Sequence, residues 1–562
     1  MKRFPLILSL IHLPFLIIVE TSFSSEHVSS LDALPVAVYH PVYNFLERGE
    51  NQGWLIFHGG SKPLTRGEIL RCLKSIPSDQ LTAGEKKQLA RWRQEFDPDY
   101  LTNPFNPASN IFRARKNIWQ NFPFYRDGYN LYNYQTESFY AAVNPILYWD
   151  FLTDSTGELI TRRSNGLNFI AGFSDKLALS FDFRDNLETG RGPYNSDDRD
   201  KLYSDHAGYV TLNQGDVCYY DFTRAVLASD WGNLRLQFGR NDFAWGPARS
   251  GHLMMSNNPP PFDFLSLRYD KENIFRFTFI TGKIYPYPEV PASEETTNAG
   301  LLRRIIANKF LSAHRLEIYP LKGIEIGLAE SVIYGERSME PAYLNPINLY
   351  YSAQHNLGDM DNVAWSGDIE VHPLPHLRLY GELFIDDMRT GKLGSDYIGN
   401  KFAYLAGAGI SDPLNIPDID LTIEYARLDP FVYTHIYQIN TYKNWNSSLG
   451  YWLPPNSEAL LIDLTWQPYY TFTAGLSAEI ARHGENTDAV NAGGDIDTPP
   501  DYQQMTAPFL AGHRIYTNLY QFICRWEPLE DYSLTGRLKW RKFTEGEQLE
   551  WQFTFGVNVW QL

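Results

Sequence analysis

From about Phe122 onward, apolar and polar residues alternate with a period of two. Leu177, Leu179, Phe181 and Phe183 alternate with Ala178, Ser180, Asp182 and Arg184. Ile419, Leu421, Ile423 and Tyr425 alternate with Asp420, Thr422 and Glu424, and Phe472, Ala474, Leu476, Ala478 and Ile480 with Thr473, Gly475, Ser477 and Glu479. The last run sets Trp551, Phe553, Phe555 and Val557 against Gln552, Thr554, Gly556 and Asn558. Successive side chains of a strand point to opposite faces, so the pattern predicts strands with one apolar and one polar face. A soluble sandwich or propeller shows the same alternation. Three features favour a transmembrane antiparallel barrel. The runs reach about 9–11 residues, the length of a tilted membrane strand. Their polar faces carry ionised groups (Asp182, Arg184, Glu424, Glu479), and Trp560 stands near the C-terminus, although Leu562 closes the chain. About 430 residues, at roughly 24 per strand with its connection, predict about 16–20 strands, 18 being the central value. That is wide enough for a lumen that is either open or plugged.

Between residues 36 and 110 the period is different. Val42 to Glu47 has helical spacing. Thr65 with Glu68, and Thr82 with Glu85, have the spacing of N-terminal capping boxes. Leu89, Trp92 and Phe96 then recur at helical intervals, and Pro98, Pro104 and Pro107 close the segment. A small α-helical periplasmic or plug module is therefore expected over 36–110, ahead of a barrel over 120–562. At the start, Met1-Lys2-Arg3, an apolar run from Phe4 to Val19 and small residues from Thr21 to Ser25 read as a signal peptide over 1–25. No later stretch has the length of a transmembrane helix.

Composition narrows the function. A net charge of -17 argues against nucleic acid, whose phosphates need a basic face, and suits an acidic lumen or acidic external loops. Aromatic residues make up 15% of the chain, which suits a barrel more than a string of soluble domains. Cys72, Cys218 and Cys524 are scattered, so they imply buried thiols or at most one bridge.

Candidate chemistry concentrates in three segments. Gly239 to Pro247, continuing through Ser256 to Pro261, is punctuated as a loop and contains Arg240, Asp242, Trp245, Asn257 and Asn258. It could bind a sugar through the Trp face and fixed polar groups, or Arg240 and Asp242 could pair to hold the loop in the lumen. A second segment contains His314 to Glu317, then Glu340-Pro341, Tyr343 and Asn345. A third contains Asp361, Asn362 and the strand Tyr380 to Asp387, where Glu382 and Asp386 share the polar face and Asp387 begins the turn. Paired carboxylates serve glycoside hydrolysis in some enzymes, but in a charged lumen they more often partner Arg and Lys. There is no Gly-x-Ser-x-Gly elbow, no His-Glu-x-x-His helix and no phosphate-binding glycine loop. The histidines lack ligand spacing, so no metal and no cofactor is expected.

Taken in order, Gly239 to Pro247, Ser256 to Asn258, His314 to Glu317, Glu340 to Ile347, Asp361-Asn362 and Tyr380 to Asp387 resemble the capsule assembly protein Wzi family of outer-membrane proteins. The segment Pro63 to Glu68 is similar to the helical part that precedes the barrel there. The resemblance implies a large closed barrel with periplasmic helices and lumen-blocking loops, lectin-like and non-enzymatic, that holds capsular or exopolysaccharide at the cell surface. The implied setting is a monomer in outer-membrane lipid, in possible contact with polysaccharide export machinery. A solute channel and an outer-membrane hydrolase using Glu382, Asp386 or Asp387 are the competing classes.

Overall fold

The computed structural model describes residues 30–97 and 130–558, apart from 137, 155–156, 191–209, 215–216, 502 and 530. The expected signal peptide, the end of the helical module beyond 97 and the terminal Trp560 lie outside the described residues.

Among the described residues, 18 antiparallel strands close into one barrel. In chain order they are β1 Phe139–Asp154, β2 Leu159–Phe173, β3 Leu177–Thr189, β4 Val217–Asp230, β5 Leu234–Asn241 and β6 Phe262–Lys271. There follow β7 Phe275–Ile284, β8 Lys309–Leu321, β9 Ile324–Gly335, β10 Asn362–Leu374, β11 Leu377–Asp387 and β12 Lys401–Ser411. The last six are β13 Ile419–Leu428, β14 Ser457–Tyr469, β15 Phe472–Glu485, β16 His513–Leu529, β17 Tyr532–Phe543 and β18 Gly546–Val557. β18 returns to β1, with Val557 opposite Leu147 and Glu550 opposite Asp154. Closure leaves no free sheet edge, which a membrane requires because lipid cannot satisfy backbone groups.

The strands run from 8 to 17 residues, a wider spread than the sequence pattern suggested. Residues beyond a tilted span of about 9–11 carry the sheet past the hydrocarbon layer. The two-residue period is realised as apolar-out and polar-in: Leu236, Phe238, Leu476, Ile480, Trp551 and Phe553 are exposed on the outer face. Arg235, Arg268, Arg276, Glu382 and Glu424 are buried inside. No helix among the described residues is long and apolar enough to cross a membrane, so the strands do the crossing. The three cysteines are free thiols, and Cys218 is buried.

The two ends of the barrel differ. Tight turns at 174–176, 231–233, 272–274, 322–323, 375–376 and 470–471 join strands at one end. Long connections at 242–261, 285–308, 336–361, 429–456 and 486–512 join them at the other.

The helical module fills the short-turn end. It contains α1 Val42–Asn51, α2 Arg66–Ser75 and α3 Ala83–Phe96. Both capping boxes form as their spacing predicted, with Thr65 and Thr82 accepting from the N3 amides and Glu68 and Glu85 returning the bond. Leu46, Ile69, Leu73, Leu89, Trp92 and Phe96 make a shared core, each large side chain contributing about 1.5–3 kcal/mol of burial. The helices then lock to the wall. Arg48 reaches Asp412 at 2.7 Å and Asp420 at 2.9 Å, and Asn51 donates to Ser411 Oγ at 2.9 Å.

Glu68 has a second role beyond its cap. Arg235 and Arg276 each approach its Oε1 at 2.9 Å, and Arg268 approaches Oε2 at 3.4 Å, from three neighbouring strands. Burial alone raises the pKa of this carboxyl, but the three guanidinium groups outweigh it and hold Glu68 well below the usual carboxylate range.

The module also extends into the lumen. Ser61–Lys62 pairs antiparallel with Ala244–Trp245 of the 242–261 connection, Ser61 opposite Trp245. The plug from one end and the loop from the other therefore meet as a small sheet inside the barrel.

Candidate functional site

Two long connections, 242–261 and 429–456, fold back into the lumen instead of projecting from it. Buried wall carboxylates hold them by their backbone. Glu382 of β11 accepts from Ala248 N at 3.2 Å, Leu253 N at 2.8 Å and His252 Nδ1 at 3.0 Å. Glu424 of β13 accepts from Ser250 N at 2.8 Å and also from Arg249 N and the Tyr380 hydroxyl. Asp386 accepts from Tyr433 N at 2.8 Å. A third connection carries α4 Pro341–Leu344 and α5 Tyr350–Leu357. Glu330 of β9 caps α5 by accepting from Tyr350 N at 2.8 Å and Tyr351 N at 2.9 Å, where a carboxylate complements the free N–H groups of a helix start.

The fit around Glu382 is close. Gly246 has φ +133°, and a Cβ there would strike the Glu382 carboxylate and the His252 ring. Glycine meets both demands, the left-handed backbone and the absent side chain. Tyrosines tie the two inward loops together: Tyr433 donates to Leu253 O at 2.6 Å, Tyr442 to Met254 O at 3.0 Å, and Tyr451 lies 2.9 Å from Ser250 Oγ. Burial pushes the Tyr433, Tyr442 and Tyr451 hydroxyls above their ordinary pKa, so they stay protonated donors.

The twelve residues singled out from sequence divide by this geometry. Asp242, Trp245, Tyr343, Asp361, Asn362, Glu382 and Asp386 are buried and hold the interior together. Tyr343 donates to Asp361 at 2.6 Å, Arg337 meets the same carboxylate at 2.6 Å, and Asn362 donates to Asn440 O at 2.9 Å. Arg240 and Asp242 do not pair with each other. Arg240 follows Leu236 and Phe238 onto the outer face and lies 3.4 Å from Asp263, whereas Asp242 turns inward and accepts from Arg224 at 2.6 Å. Asn257, Asn345 and Asp387 are exposed and Asn258 is half-buried. Asn258 donates to Ser448 O at 3.0 Å.

Asn257 and Asn258 lie beside a feature that alternation and spacing in the sequence do not reveal. Lys443–Asn444 pairs with Ser447–Ser448, so Trp445 and Asn446 form the tip of a hairpin. The Trp445 ring stacks on Tyr285, with centroids 4.7 Å apart and planes at 15°. Trp445 has φ +54°, a backbone that a bulky residue adopts at a cost on the order of 1–3 kcal/mol. Ser256 N donates to Leu449 O, which brings the Asn257-Asn258 segment against the same hairpin. The available signal was compositional: Phe431, Tyr433, Tyr437, Tyr442, Trp445, Tyr451 and Trp452 crowd one stretch that lacks alternation.

Comparison with known proteins gives the same architecture. The solved structure of Wzi from Escherichia coli, described as an outer-membrane carbohydrate-binding β-barrel involved in group 1 capsule assembly, is similar to this chain with a TM-score of 0.59. It shares 13% identity, over 93% of this chain and 99% of that one. Two Pseudomonas aeruginosa proteins match more loosely. OccK8 (OprE) has a TM-score of 0.43 at 9% identity, over 75% of this chain and 98% of its own. OccD3 (OpdP) has 0.42 at 11%, over 75% and 91%. No curated protein sequence matches. A family model described as capsule assembly protein Wzi matches residues 147–562, which is most of the chain and nearly all of the barrel, and this protein belongs to that family.

Proposed function

We propose that this outer-membrane protein binds surface polysaccharide at its long-loop end and helps hold or assemble a capsular or exopolysaccharide layer, without catalysing a reaction. The long connections face the outside, and the short turns with α1–α3 face the periplasm, as is usual for bacterial barrels. The observation that carries the reading is the Tyr285–Trp445 stack on a filled mouth, next to Asn257, Asn258 and Asn446. An aromatic face covers the apolar side of a sugar ring while amides fix its hydroxyls. Each sugar is held weakly, and a long polymer gains retention through many contacts. The positive φ of Trp445 belongs to the two-residue hairpin turn that it opens, which fixes where the ring stands.

Two further features support the reading. Glu382 and Asp386 are occupied by loop amides, which leaves them poorly placed as acid and nucleophile. The cavities between plug and wall are small, about 190 Å³ beside Tyr39 and Arg184 and about 130 Å³ beside Arg48 and Trp92. The protein acts as a single chain, and the periplasmic face of its helices is the side open to polysaccharide export machinery. The test is retention of purified capsular or exopolysaccharide by the detergent-solubilised protein. Trp445→Ala is expected to lower retention at least tenfold, with the barrel intact and silent in a planar bilayer. Unchanged retention by Trp445→Ala and Tyr285→Ala together, or steady large conductance of the unmodified protein, overturns the proposal.

A further inference from the structure

Among the described residues, one group of three ligand-type side chains comes together: Glu50 of α1 with Glu370 and His372 of β10. It lies at the short-turn end, where α1 meets the wall, away from the long loops. The three ligand atoms all lie within 4.8 Å of one another. His372 Nε2 is 3.0 Å from Glu370 Oε1 and 3.6 Å from Glu50 Oε2.

The charges around this group do not balance within the protein. Arg378 grips Glu370 with two bonds, at 2.7 Å and 2.8 Å, so its guanidinium is taken. Glu50 Oε1 accepts from Phe57 N at 3.1 Å. Its Oε2 accepts no hydrogen bond among the described residues and points at the imidazole, on a side chain that is only 10% exposed. Arg378 is close enough to act on Glu50 as well, but its bonds go to Glu370 and to the Pro247 carbonyl, which leaves Glu50 Oε2 facing the imidazole with no bonded lysine or arginine among the described residues.

We propose that Glu50, Glu370 and His372 bind a divalent transition metal of the Zn²⁺ class, which fastens helix α1 of the plug to the barrel wall. Two carboxylate oxygens and one imidazole nitrogen make a three-ligand set that water completes to a tetrahedron. The imidazole disfavours Mg²⁺ and Ca²⁺, which take oxygen ligands. Sequence spacing conceals such a site because one ligand comes from a helix and two from a distant strand. The site is independent of the polysaccharide reading.

The experiment uses full-length, tag-free protein stripped with EDTA and titrated calorimetrically with ZnCl₂, with thermal unfolding followed in parallel. One Zn²⁺ per chain and a raised Tm are expected, while MgCl₂ and CaCl₂ give neither. Glu50→Gln keeps the shape of the side chain and lies outside the wall, so it is expected to fold; it and His372→Ala should each weaken Zn²⁺ binding more than tenfold. Heat-modifiable migration of both variants reports whether the barrel is intact. No Zn²⁺ binding by the unmodified chain, or equal binding by folded Glu50→Gln, overturns the assignment.

Discussion

The two ends of this barrel are closed by different uses of the same residue type. At the short-turn end side-chain ion pairs join plug and wall: Glu68 of α2 receives Arg235, Arg268 and Arg276, and Arg48 of α1 reaches Asp412 and Asp420. At the long-loop end the carboxylates sit on the wall and the inward loops present backbone amides, as at Glu382, Glu424 and Asp386. The difference has a physical meaning. A side-chain ion pair holds a preformed helical unit whose own backbone is already satisfied. A loop has no such internal ladder, and its buried N–H groups must find acceptors. Wall carboxylates supply those acceptors and so impose one conformation on segments that would otherwise be free.

The comparison can be broken from either side. Glu382→Ala strands two loop amides and the His252 ring at once. At about 1–3 kcal/mol for each of these three unsatisfied buried donors, the inward loop should lose roughly 3–9 kcal/mol of local stability. Limited proteolysis should then cut within 247–253, while the helical module stays protected. Cleavage of the module as early as of the loop would show that the two closures are one unit, joined through Ser61–Lys62 and Ala244–Trp245.

Glu68→Ala attacks the other closure. It uncouples three buried arginines and is expected to cost about 3–5 kcal/mol, read as early proteolysis of α1–α3 with the inward loops still protected. Acid should mimic it. The pKa of Glu68 is depressed in the folded protein, so its contribution is full above the ordinary carboxylate value and is lost as pH falls through the lower folded value. Protease protection of the module should fade over that acidic window, and Glu68→Gln should flatten the dependence. The smallest effects belong to exposed positions: Asp387→Ala and Asn345→Ala should change the denaturation midpoint by no more than about 0.5 kcal/mol equivalent. A larger loss at either would mean that the rim also carries structure.

Much of this was legible in the chain. Alternation at Leu177 to Arg184, Ile419 to Tyr425 and Trp551 to Asn558 reports which face of each strand meets lipid, because the period of two is a local property of the backbone. Capping boxes at Thr65 and Thr82 are equally local, and both form. The candidate residues were less legible. Glu382 and Asp386 were correctly placed on a polar face, yet nothing nearby in sequence shows that their partners are Leu253 and Tyr433.

By itself, then, the sequence determined the class of architecture, the polarity of each strand face and the helical start of the module, all of which follow from residues a few positions apart. Tertiary structure alone decided that 242–261 and 429–456 turn inward, that Glu68 serves as an anchor as well as a cap, and that Trp445 reaches Tyr285. It also brings Glu50 to His372. Each of these joins residues from distant parts of the chain, and only closure of the barrel brings them within reach of one another.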